Sequence, residues 1–482
     1  MEQAHIFEQR RSGVLLHITS LPSGNMGEDA YRFIDFLEAA GVSVWQMLPL
    51  GPTHDDRSPY QCLSAHAGNN RLICRNMLKA KTWADPERLN DPKMSRLMAL
   101  AYRQFEAKAD EAEKQAFSAF CEEQDYWLDD YVMFREVRHL NQSRAWFDWP
   151  AALRDRDPAA LEKVAVERQD ALNIRRFEQF IFYQQWHQLR VYANERGVKL
   201  FGDMPIFVAH DSADVWAEPD LFTLDDSGQP TRVAGVPPDY FSDTGQRWGN
   251  PLYDWSQHIA QDFDWWHRRL QTQLACFDLI RIDHFRGFES CWEIPASCDT
   301  AIDGQWIPAP GEQLFDALLA HFGELPLVAE DLGIITDEVT ALREKYAMPG
   351  MKILQFAFGG DASNPYLPHQ QCEDSVTYTG THDNDTTLGW YQALEEPVKA
   401  HMHAYLGETT EPMPWLLIRT ALSSVSELAV IPFQDVLSLD GRHRMNIPGT
   451  IDGNWRWQFS WDMVKDGIAA KLKAMNDLYG RA

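Results

Sequence analysis

Short apolar runs that stop abruptly at a polar, glycine or proline residue recur along this chain, at 13–17, 42–50, 198–208, 277–283, 325–330 and 375–379. Longer stretches of helical character lie between many of them, for example 30–40, 265–275 and 313–321. Strands that are apolar on both faces need cover on both faces, and helices crossing over between parallel strands supply it. The pattern therefore predicts an α/β architecture, and the number of units favours a closed barrel over a small open sheet.

Two regions break the rhythm. From 84 to 196 there are only charged amphipathic segments, ending in RRFEQFIFYQQWHQLRVYANERG, where Phe182, Trp186 and Leu189 are spaced to share one helical stripe. That stripe reads as core-facing, and the region as a helical insertion. The expected division is barrel over 1–83, insertion over 84–196, and the rest of the barrel over 197–482. The second irregular region, a loop over 222–255, is rich in Gly, Pro and Asp yet carries Tyr240, Phe241, Trp248, Tyr253 and Trp255. So many rings suit a lid or binding loop better than a solvated linker.

Composition limits the partners. A net charge of −27 repels phosphate backbones and anionic headgroups, so nucleic acid and membrane surfaces are poor candidates, while a neutral substrate meets no such barrier. The cysteines number seven, without zinc-like spacing, and are expected as free thiols in a reducing cytoplasm. The apolar run after Arg10 and Arg11 is too short for an export signal. The most membrane-like stretch, 415–433, is interrupted by Arg419 and Glu427.

Four acidic positions end or follow apolar runs. In FDLIRIDHFRGF a strand's two-residue period puts Leu279, Arg281 and Asp283 on one face. The guanidinium would keep Asp283 ionised, as a nucleophile requires; a surface ion pair is the structural alternative. In LPLVAEDLG, a partly desolvated Glu330 near other carboxylates would hold its proton and suit a general acid, although Asp331 could simply cap a helix. In YTGTHDNDT, His382, Asp383, Asn384 and Asp385 form a polar cluster that an Asx-turn would also explain. No further histidine stands at ligand spacing, so no metal is expected. Asp203, in VKLFGDMPIFVAHD, is the fourth. Acidic ends of separate strands, gathered at one barrel mouth with aromatic loops and without a phosphate-binding glycine motif, indicate glycosidic-bond chemistry.

Along nearly the whole chain outside 84–196, the sequence resembles the 4-α-glucanotransferases of the amylomaltase type, relatives of the α-amylase clan. The segments that carry the resemblance include GVLLHITSLPSG, WQMLPLGPT, SPYQCLSA, GDMPIFVAHDSADVW, TGQRWGNPLYDW, RIDHFRGF, VAEDLG, GMKILQFAFGGD, YTGTHDNDT and RMNIPGTIDGNWRW. It implies a (β/α)8 TIM barrel with a largely helical insertion and extended substrate-binding loops. It also implies Asp283 as nucleophile, Glu330 as acid/base and Asp383 as transition-state stabiliser. Arg281, His284, Asp203 and His382 match positions around the donor sugar, and Tyr60 an aromatic platform. Gln246 and Trp248 match acceptor-side contacts, and Asp361 a sugar-hydroxyl contact. The chain departs from the family's pattern at His54-Asp55-Asp56-Arg57, at His66 and Asn70, and in a shortened loop at 23–28, all near the expected substrate rim.

The resemblance implies transfer of α-1,4-glucan segments between maltooligosaccharide or starch-type chains by a retaining double displacement. No cofactor is expected, and the protein is expected as a cytoplasmic monomer or small homo-oligomer. An amylase-type α-glucan hydrolase is the nearest rival. A non-catalytic glucan-binding protein on the same barrel and a metal-dependent hydrolase are more distant ones.

Overall fold

The computed structural model describes residues 7, 9–238, 242–407, 409–450 and 452–482. Eight strands form one all-parallel sheet: β1 (Arg11–Leu15), β2 (Val44–Gln46), β3 (Lys199–Pro205), β4 (Leu279–Asp283), β5 (Leu327–Ala329), β6 (Gly350–Ile353), β7 (Ser375–Tyr378) and β8 (Leu428–Pro432). Their spatial order is β6-β7-β8-β1-β2-β3-β4-β5. The ring closes between β5 and β6, where Ala329 N–H donates to Pro349 O at 2.9 Å and Met351 N–H to the Asp331 carboxylate at 2.7 Å. Gly350 makes room for that side-chain stitch, since a Cβ there would lie 2.3 Å from Asp331 Oδ2. The result is the expected (β/α)8 barrel.

Side chains alternate across this sheet. Leu15, Val44, Phe201, Leu279, Val328 and Val430 pack into one cluster that fills the barrel lumen. Val14, Trp45, Leu200, Ile280, Ile282 and Ala329 belong to the larger cluster between the barrel and its helices. The helix Glu28–Ala39, for instance, buries Phe33, Ile34 and Leu37 there, with Phe33 edge-on to Trp45 at 5.0 Å. Burial on both faces is why these strands read as unbroken apolar runs.

Between β2 and β3 the chain folds into helices that include Met94–Lys108, Glu111–Glu123, Asp125–Leu140, Pro158–Glu167 and Gln169–Glu195. The described residues of 84–196 contain no strand. Phe182, Trp186 and Leu189 are all buried, and Trp186 Nε1 donates to Cys276 O at 3.0 Å, which docks the longest helix on the barrel. Two of its glutamines grip the loop after β2: Gln179 exchanges a pair of hydrogen bonds with the Gly68 backbone, and Gln185 does the same with Cys74.

The segment 222–255 is more regular than its composition suggests. It carries the strands Arg232–Val236 and Gln246–Pro251, which join Ser290–Pro295 and Gln305–Pro308 in a four-stranded antiparallel sheet. Two of its partner strands lie far downstream, so no local hairpin pattern announces them. Tyr240 and Phe241 lie outside the described residues. Tyr253 and Trp255 are packing rings rather than cleft rings: Tyr253 is buried with its hydroxyl on Ile206 O at 2.6 Å, and Trp255 stacks on Trp266. No helix among the described residues is long and apolar enough to cross a membrane, and all seven cysteines are free.

Candidate active site

The lumen-facing parity of each strand, continued to its C-terminal end, brings the acidic residues together. On β3 the lumen positions are Phe201 and then Asp203; on β4 they are Leu279, Arg281 and Asp283; past β5, Val328 is followed by Glu330. Each strand thus contributes apolar side chains below and a charged one at the mouth.

Arg281 organises this cluster. One guanidinium nitrogen reaches both Asp203 oxygens at 2.8 Å and another donates to Asp283 Oδ1 at 2.8 Å. Burial works against its charge, but Asp203 and Asp283 outweigh that and hold its pKa well above the ordinary arginine value. Asp203 is only 1% exposed; burial pushes its carboxyl up and the Arg281 charge pulls it back. It also accepts the Tyr60 hydroxyl at 2.7 Å. Asp283 sits higher, its side chain 30% exposed to the cleft.

Glu330 stands beside Asp283. The β4–β5 register pairs Ile282 with Ala329, and Glu330 N–H donates to Ile282 O at 3.0 Å, so the two carboxylate-bearing residues are next neighbours on adjacent strands. Glu330 accepts the backbone N–H of His284 at 2.6 Å and of Leu332 at 3.1 Å, which fixes its carboxyl in place. Burial pushes that carboxyl up, Arg281 pulls it back and Asp283 adds a further rise, leaving it at about 7. Asp331 caps no helix; its carboxylate is spent on the barrel seam and on Arg343 at 3.5 Å.

The third carboxylate lies beyond β7. Asp383 accepts Asn446 Nδ2 at 2.6 Å and lies 3.3 Å from His382 Nε2, with its side chain 48% exposed. Desolvation opposes its charge, yet His382 and Asn446 hold the carboxyl well below the usual carboxylate range. His382 moves the opposite way: burial lowers it, but the Asp383 charge leaves it above its ordinary value. Its ring stacks on Tyr60 at 5.2 Å and 19°. In the neighbouring turn, Asn384 Oδ1 accepts from Thr381, and Thr386 rather than an Asp caps the following helix.

The other expected residues are placed less uniformly. His284 adopts a left-handed backbone with φ 54°, which turns its ring toward Trp248, edge-on at 4.8 Å. Burial lowers its pKa to about 4, so it is neutral at pH 7, and its Nε2 has no protein partner. Gln246 is exposed on the antiparallel sheet and accepts Trp248 Nε1 at 3.2 Å. Asp361 is exposed, with its carboxylate engaged by the backbone and hydroxyl of Ser363 at 2.9 and 2.6 Å. Among the described residues no three His, Cys, Asp or Glu side chains are placed to hold a metal ion.

Sequence reasoning did not single out Asn446, Arg444 or Trp455. Arg444 donates to Asp383 O at 3.0 Å, and Trp455 packs near both Tyr60 and His382, at 5.9 Å from each. All three fall in the quoted segment RMNIPGTIDGNWRW, but nothing local there marks a partner 63 residues away.

A parallel α/β barrel that gathers carboxylates at the C-terminal ends of its strands has the layout of a sugar-processing barrel enzyme. The chain belongs to glycoside hydrolase family 77, the 4-alpha-glucanotransferases, whose profile matches residues 16–464. It is similar to the 4-alpha-glucanotransferase of Thermus thermophilus, at 46% identity over 492 residues covering 97% of this chain and 98% of that one. It is also similar to that of Synechocystis, at 45% identity over 499 residues and 99% of each chain. Among solved structures, the amylomaltase from Streptococcus agalactiae in complex with acarbose superposes with a TM-score of 0.94 at 36% identity, covering 98% of this chain and 100% of that one.

Proposed function

We propose that this enzyme transfers α-1,4-glucan segments by a retaining double displacement with Asp283 as nucleophile, Glu330 as acid/base and Asp383 as transition-state stabiliser. The observation that carries the reading is the Asp283–Glu330 pair. Adjacent strands are about 4.8 Å apart, in keeping with the roughly 5–5.5 Å carboxyl separation that a retaining mechanism needs. The pair is also divided electrostatically: Asp283 is held by Arg281, while Glu330 is kept near pH 7, where it can give and take a proton.

In the first step a carboxylate oxygen of Asp283 bonds to the anomeric carbon, the glycosidic C–O bond breaks, and Glu330 delivers its proton to the departing 4-oxygen. In the second, the 4-hydroxyl of an acceptor glucan attacks that carbon and gives its proton to Glu330. The Asp283 ester bond breaks in that same step and the α configuration returns. Asp383 grips sugar hydroxyls beside the nucleophile. Tyr60, stacked on His382 and bonded to Asp203, presents an apolar platform, and Arg281 and Asp203 keep the nucleophile aimed. Trp248 and His284 line the acceptor side with Gln246 at its rim, and Asp361 serves as an outer sugar contact.

Transfer outruns hydrolysis when an acceptor sugar, not water, fills that side. Incubation with maltotriose therefore gives glucose and longer oligomers with total reducing ends nearly constant. A steady rise in reducing ends identifies a hydrolase and overturns the reading. The expected assembly is a monomer or a small homo-oligomer; sedimentation separates the two. Seven free thiols fit a reducing cytoplasm.

A further inference from the structure

The chain carries 71 acidic against 44 basic residues, yet the charged side chains that line one groove are arginines. It runs between the loops that follow β1, β2 and β8, and has Arg57, Arg71 and Arg456 in its wall but no Asp or Glu. Among the described residues none of these three guanidiniums has an ion-pair or hydrogen-bond partner, and all three side chains are exposed. Arg57 is further set apart by its backbone. It holds a left-handed φ of 68° in a turn closed by its own N–H on His54 O at 3.2 Å, within a loop pinned by the Thr53–Cys62 bridge. A non-glycine residue in that conformation is costly, so the loop has been built to hold it.

The groove is continuous with the catalytic mouth. Trp455 forms part of its wall and packs toward both Tyr60 and His382. Pro59, also in the wall, precedes Tyr60 in sequence. A glucan chain leaving the Tyr60 platform on this side would meet the wall that carries these arginines. Guanidiniums can donate to sugar hydroxyls, but the planar fork of arginine matches phosphate oxygens in both geometry and charge.

We propose that this groove recognises a phosphate monoester carried on an α-1,4-glucan, so that phosphorylated chains are preferred substrates of the same transfer reaction. The inference rests on the glucan-transfer reading above.

The test uses the full chain with two substrates: maltoheptaose bearing one phosphate monoester distributed along its length, and neutral maltoheptaose. The expected result is a lower KM for the phosphorylated chain, with an advantage that shrinks as salt is raised. Arg57→Gln, Arg71→Gln and Arg456→Gln should each raise the KM of the phosphorylated chain about fivefold more than that of the neutral one, the scale of one exposed charge pair. Equal KM values in the unaltered protein overturn the proposal, as does an equal rise for both substrates in the variants, which would make the arginines plain hydroxyl donors. Inorganic phosphate equimolar with the phosphorylated chain should leave its advantage intact. Abolition of the advantage would mark a free-anion site instead and overturn the glucan reading. Transfer on neutral maltoheptaose without discrimination removes this proposal alone; no transfer on either chain removes the parent reading with it.

Discussion

Replacing Glu330 with Gln should cost activity and, above neutral pH, return stability. Glu330 is half-buried beside Asp283, and its carboxyl rises from 4.5 to about 7 in the folded protein. At 1.36 kcal/mol per pH unit, keeping it ionised in the fold costs about 3 kcal/mol at pH 8 relative to the unfolded chain. The sign follows from the direction of the shift. A carboxyl raised by folding burdens the native state above its folded pKa, and the burden lifts as pH falls from about 7 toward 4.5. Glutamine escapes that cost. However, it accepts only one of the two backbone N–H groups, from His284 and Leu332, that the carboxylate accepts now. The unmatched donor costs about 1 kcal/mol. The variant is therefore expected to be about 2 kcal/mol more stable than the parent at pH 8 and about 1 kcal/mol less stable at pH 4. Denaturant unfolding followed by tryptophan fluorescence at the two pH values measures both. Disproportionation of maltotriose by the variant should fall roughly 10²–10⁴-fold, the scale of a lost general acid/base. A variant that is less stable at both pH values, or one that keeps near-parental turnover, refutes the reasoning.

Further outcomes follow from the same cluster. Arg281→Gln leaves Asp203 buried without its counter-charge and should cost about 3–5 kcal/mol, most of it recovered in the double variant Arg281→Gln/Asp203→Asn; a double variant no more stable than the single one would show that the pair is not coupled. If Glu330 is the proposed proton donor, the kcat/KM for maltooligosaccharides should fall about tenfold per pH unit above pH 7 as its carboxyl ionises, and a profile flat to pH 9 would remove it from that role. Asn446→Ala removes the donor at 2.6 Å from Asp383, a charge-assisted bond at a half-exposed site, and should lower kcat/KM about tenfold; an unchanged value would make that contact incidental. Trp248→Ala opens the acceptor side, so reducing ends should accumulate during maltotriose turnover, whereas an unaltered transfer-to-hydrolysis balance would deny the ring that function.

The lumen half of the site was legible because a strand's alternation is strict. Once 277–283 is read as a strand, Arg281 and Asp283 must point the same way, and they do. Strands β6 and β8 were harder to see. The first is four residues long, includes Lys352 and runs directly into a 3-10 turn at Leu354–Phe356. The second follows closely on the apolar helix Trp415–Ser423, so that 415–433 reads as one hydrophobic stretch. Aromatic residues in an irregular segment misled for a different reason. Nothing in the composition of 222–255 separates Tyr253, buried among Trp265 and Trp266, from Trp248, which faces His284. Asn446 was invisible because its meaning lies in a contact between the loops that follow the neighbouring strands β7 and β8.

The side-chain stitch between β5 and β6 has a consequence for how this enzyme can change. A methyl group at Gly350 would strike Asp331, and Asp331 is bonded in sequence to Glu330, the proposed proton donor. A residue on the outer side of the sheet thereby bears on where Glu330 stands. Evolutionary drift or engineering that adds one carbon atom at 350 detunes the chemistry from the outer wall of the ring.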